Sequence, residues 1–60
     1  MNKMRIVKVS DCTGEKYAIL SKCYNAWYIM HTEKTLENMI DFCKRELAKS
    51  WNDGNISIEV

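Results

Sequence analysis

Proline is absent from these 60 residues and glycine occurs only twice, at Gly14 and Gly54. The composition is therefore neither that of a flexible linker nor that of a glycine-periodic fibre. Cysteine is scarce and odd in number. Cys12, Cys23 and Cys43 are widely spaced, no CxxC pair occurs, and His31 is the single histidine available to complete a metal site. Neither a disulfide framework nor a zinc knuckle is expected, and no cofactor is implied. Reduced thiols acting as small apolar groups suit a reducing compartment, so the expected location is the cytoplasm. Charge of one sign is lacking too: nine basic and eight acidic residues leave +1, with no extended positive footprint for nucleic acid. No apolar run approaches the length of a membrane span or a signal-peptide core, so neither insertion nor export is expected.

What is present is a hydrophobic content of 47%, too high for a disordered segment. Residues 1–60 make one domain, and a chain this short buries only about 60% of the surface it exposes when unfolded. With neither disulfide nor metal expected, a second subunit is the supplement the composition points to, and a homodimer is expected.

Thr35–Trp51 is the longest periodic segment. Leu36, Met39, Ile40, Cys43, Leu47 and Trp51 recur at spacings of three and four, which places them on one stripe of a single helix. Thr32 or Thr35 can cap it; Glu33, Glu37 and Asp41 lie towards its positive end, and Lys44, Arg45 and Lys49 towards its negative end. Before it, Met4–Ser10, Lys16–Lys22 and Ala26–His31 read as strands. Asp11-Cys12-Thr13-Gly14 is a turn with glycine in the left-handed region, and Cys23-Tyr24-Asn25 is a second reversal in which Asn25 is the residue suited to positive φ. Asn52-Asp53-Gly54-Asn55 ends the helix, and Ile56–Val60 alternates as a fourth strand with Ile56, Ile58 and Val60 inward. The expected fold is a small two-layer α+β domain in the order βββαβ, a mostly antiparallel sheet packed on one helix.

One helix covers one sheet face. All three early strands carry apolar residues on both sides, so the second face is expected to present a patch drawn from Val7, Val9, Tyr17, Ile19, Trp27 and Ile29 or their alternates. In the third strand Trp27, Ile29 and His31 share one face, and Tyr28 and Met30 the other. Phe42 lies off the helix stripe, either widening it at the sheet's edge or anchoring a partner. Trp27, Phe42, Tyr17 and Tyr28 are the candidate partner-binding residues.

Catalytic readings are weaker. Cys43 with His31 has the residue types of a nucleophile and base, but a thiol on a buried stripe is held neutral by desolvation. Glu33, Glu37 and Asp41 read as a solvated ridge rather than paired catalytic carboxylates. An enzyme is not expected. Tyr24, Trp27 and Tyr28 with Lys16, Lys22 and Lys34 offer stacking groups and cations for a single strand, yet without an RNP-like signature.

The order βββαβ, with TLENMIDFCKREL entering a helix after an aromatic strand, resembles the small partial-RNase-H-like domain of HicB-type antitoxins. That resemblance covers element order only, carries over no residue, and implies a helix packed on a sheet in a module that neutralises a toxin protein. In size, in lacking proline and in its Lys, Asn, Ile and Met usage the chain is also similar to stand-alone phage proteins that inhibit host enzymes or defence systems. The leading expectation is a non-enzymatic module that occludes or sequesters a protein partner. A nucleic-acid-associated regulator or antitoxin is the alternative, and a sponge for a signalling nucleotide or other small ligand in a dimer cleft is a third reading.

Overall fold

The computed structural model describes residues 3–60. The β-branched N-terminal run forms β1 (Met4–Asp11), which turns antiparallel into β2 (Gly14–Cys23). Asp11 closes that turn: its Oδ1 accepts from the Thr13 N–H at 2.8 Å and from the Thr13 hydroxyl. Gly14 follows at φ 118°, where any side chain would be strained.

A two-residue turn then leads into β3 (Ala26–Glu33), antiparallel to β2. Positive φ falls here on Tyr24, at 57°, and not on Asn25 as the residue types suggest. The first position of a two-residue hairpin loop demands that conformation to match the twist of the strands, and Tyr24 occupies it.

Thr35 caps α1 (Leu36–Glu46), its Oγ1 accepting from the Asn38 N–H at 3.1 Å. Glu37 sits in the first turn and Lys44 and Arg45 in the last, in accord with the helix dipole. Glu33 belongs to β3, so the expected ridge with Glu37 and Asp41 does not form along one helix. Nor is the helical segment continuous: at Leu47 (φ −126°, ψ 39°) it breaks, and α2 (Ala48–Asn52) follows.

A Schellman arrangement ends α2. The Gly54 N–H reaches the Trp51 carbonyl at 3.2 Å and the Asn55 N–H reaches that of Ser50 at 3.0 Å, with Gly54 at φ 74°. The chain is thereby released into β4 (Ile56–Glu59), parallel to β1. Strand order is β3-β2-β1-β4, the mostly antiparallel two-layer α+β architecture that the βββαβ pattern implies.

The core lies between sheet and helix. Met4, Ile6 and Ile19 from the sheet meet Met39 and Cys43 from α1, with Tyr17, Leu36, Phe42, Leu47, Trp51 and Ile56 packed around them. Of the three residues expected inward on the last strand, only Ile56 joins. Ile58 and Val60 are exposed, because β4 is an edge strand while α1 lies over β2 and β3.

Candidate functional site

Strand register fixes which side chains stand away from the helix. Arg5 is opposite Leu20, Val7 opposite Ala18 and Val9 opposite Lys16; Leu20 is in turn opposite Ile29, and Lys22 opposite Trp27. Ile6 and Ile19, the alternates, are fully buried on the helix side. Val7, Val9, Ala18, Leu20, Trp27 and Ile29 therefore form an apolar strip on the open face. Ala18 is wholly buried among its neighbours, whereas Trp27 is 39% and Ile29 56% exposed.

Ion pairs frame the strip. The Arg5 guanidinium donates to both carboxylate oxygens of Glu59, Nε to Oε2 at 2.9 Å and Nη2 to Oε1 at 2.7 Å. The hydrogen bonds and opposite charge raise the Arg5 pKa and lower that of Glu59, which the Ser57 hydroxyl also supports at 2.7 Å. At the other end Lys16 meets Asp11 at 3.1 Å. Hydrogen bonds from the Thr13 hydroxyl and backbone, then from Lys16, hold the Asp11 carboxyl at a pKa of about 2. Arg5 also lies over the Trp27 ring, 5.2 Å from its centroid, and Lys22 at 5.9 Å.

The outer strand β3 is unusual in exposing four consecutive large apolar residues, Trp27, Tyr28, Ile29 and Met30. A register shift makes this possible: Leu20 pairs with Ile29 and Ile19 with His31, leaving Met30 without an opposite residue. The bulge also reverses the alternation. His31 moves to the helix side instead of sharing a face with Trp27 and Ile29, and its ring stacks on Phe42 with centroids 3.9 Å apart and planes at 9°. Its Nε2 contacts Glu33 Oε2.

The four candidate residues thus fall in different places. Trp27 is on the open face. Tyr28, opposite Ser21, stands at the helix-side rim of β3. Tyr17 and Phe42 are half-buried around the core, and Phe42 widens the stripe at the sheet's edge. Tyr17 and Ile19, both candidates for the patch, are replaced there by Ala18 and Leu20. The near-identical alternation of apolar residues on both sides of β2 left open which set would face outward, and sequence reasoning passed over the Arg5–Glu59 pair, which only the parallel pairing of β4 creates.

Cys43 is buried, and burial pushes its thiol pKa up, which favours the unreactive neutral form. Cys12 and Cys23 are exposed and free. Among the described residues no group of three or more His, Cys, Asp or Glu is placed to hold a metal ion, and no helix is long and apolar enough to cross a membrane. No family model, curated protein or solved structure matches the chain.

Proposed function

We propose that the chain is a non-enzymatic protein-binding module whose open sheet face occludes or sequesters a protein partner. Its most concrete form is a small phage-encoded inhibitor of a bacterial host or anti-phage defence protein, acting in the host cytoplasm. The observation that carries this reading is the apolar strip from Val7 to Ile29, left outside the helix layer with the flanking charges of Arg5 and Lys16 paired to Glu59 and Asp11. The domain measures 34 × 27 × 16 Å, so its broad face has room for the roughly 800 Å² that one partner contributes to a specific complex. Trp27, with cations stacked on it, has the character of a binding anchor. Nucleic acid is the weaker partner because Arg5 and Lys16 are already engaged by Glu59 and Asp11, leaving no open cationic track across the face.

The test is capture from bacterial lysate on the tagged wild-type chain and on Val7→Lys, with nuclease treatment and a high-salt wash. Val7 is half-buried at the middle of the strip and stands opposite Glu59, so lysine there is tolerable to the fold. A single protein held in near-stoichiometric amount by the wild type and lost by folded Val7→Lys supports the reading. Equal retention by the variant overturns it, and loss of all bound material on nuclease treatment transfers the assignment to the nucleic-acid alternative.

A further inference from the structure

The sheet has two edges, and they are protected unequally. β4 is four residues long and carries Ser57 and Glu59, shortness and charge being common defences against unwanted strand pairing. β3 is eight residues long, with no proline and no lysine, arginine or carboxylate before Glu33. Its outer backbone groups have no strand beside them, while Trp27 to Met30 expose apolar surface on both faces. Such an unprotected edge is a template for pairing with another strand.

We infer that the strand it accepts is β3 of a second copy, paired antiparallel about Tyr28. Two-fold symmetry sets each residue opposite one the same distance across the axis, and opposed residues must share a face, so the axis passes through a residue. With Tyr28 there, Trp27 stands opposite Ile29 of the second copy on the open side. Tyr28 meets its own counterpart on the helix side, and Ala26 meets Met30 of the second copy. These are aromatic and aliphatic cross-strand pairs of the favourable kind, and no like charges meet. The Met30 bulge ends the paired stretch. A second subunit would supplement a small core: among the described residues Met4, Ile6, Ile19, Met39 and Cys43 form the buried cluster, and the cysteines are free, so no disulfide staples the fold. Both open faces then lie side by side on one surface of an eight-stranded sheet. The inference rests on those faces remaining free for a protein partner.

Mass in solution tests it, by light scattering at tens of micromolar protein. The wild type and Val7→Lys run as dimers. Tyr28→Lys and Tyr28→Glu, each changing a side chain about half exposed, run alone as monomers with unchanged circular dichroism, and mixed one to one they recover the dimer. In a Cys12→Ser, Cys23→Ser background, Tyr28→Cys oxidises to a covalent dimer. A wild type that is monomeric, or a Tyr28→Lys that stays dimeric, overturns the edge pairing. A dimer dissolved by Val7→Lys but not by Tyr28→Lys overturns it differently: the open face is then the interface between copies, and the partner-binding reading falls with it. Monomers throughout leave that reading intact.

Discussion

Ile19 and Leu20 are neighbours in β2, similar in size and apolar character, yet Ile19 is wholly buried under α1 while Leu20 is only half-covered on the open face. The helix side of the sheet is occupied by a core whose thiol is neutral and whose aromatic rim is stacked, as Phe42 on His31 shows. Across the sheet, similar side chains are bordered by exposed ion pairs and, among the described residues, have no second layer. Hydrophobic composition does not distinguish the two sides. What differs is which side the single helical layer reaches, so the helix side carries the core and the other lies outside it.

The sharpest way to break that contrast is to shorten the two neighbours in turn. Ile19→Ala leaves a cavity beside Ile6, Met39 and Cys43 and is expected to cost about 2–5 kcal/mol, enough to leave much of a domain this small unfolded at room temperature. Leu20→Ala removes a half-covered side chain and is expected to cost about 1 kcal/mol. Urea unfolding followed by circular dichroism reads both. Equal losses would mean that the open face is buried under the conditions of measurement, by a second copy or otherwise.

The contrast between the faces was only partly legible in the sequence. Helix, strands and turns follow from periodicity, from the Asp11–Gly14 turn and from the Thr35 cap, and the two-layer fold follows from them. Which face of β2 met the helix did not, because Ala18 and Leu20 on one side and Tyr17 and Ile19 on the other are both apolar enough to be buried. Only the register against β1, with Ile6 opposite Ile19, decides it. Local signals were silent at two other points. The break at Leu47 occurs beside Ala48, where both residue types favour a helix, so nothing in the local sequence announces it. The bulge at Met30 carries no glycine to announce it, and it alone carries His31 across the sheet to Phe42.

Acid and alkali are expected to act on opposite faces. On the open face, Asp11 has a folded-state pKa lowered to about 2, against about 3.9 for an unperturbed aspartate. Its contribution is present above the unfolded pKa and is lost as pH falls towards 2. On the helix face, burial raises the Cys43 thiol pKa above its usual 9.0. The folded state then disfavours the thiolate, so stability fully present below the unfolded pKa is lost as pH rises from it through the higher folded pKa. Thermal midpoints measured from pH 2 to 10 should show Asp11→Asn flattening the acid limb only and Cys43→Ala flattening the alkaline limb only. Cys43→Ala also lowers the midpoint at neutral pH, since it truncates a core side chain. A variant that leaves its own limb unchanged would show that its group is not the one titrating there.

The smallest expected effect lies on neither face. Tyr24 holds φ at 57° with its side chain 94% exposed, so it bears the cost of a left-handed backbone while making almost no packing contact in return. Tyr24→Asn keeps the conformation with a residue that adopts it more readily and is expected to stabilise the domain by about 0.5 kcal/mol. Because the substitution touches neither the core nor the strip from Val7 to Ile29, the melting temperature should rise while partner capture and dimer mass stay as in the wild type. A fall in melting temperature would show that the exposed tyrosine ring has a contact in solution, and a change in dimer mass would place that contact at the end of β3.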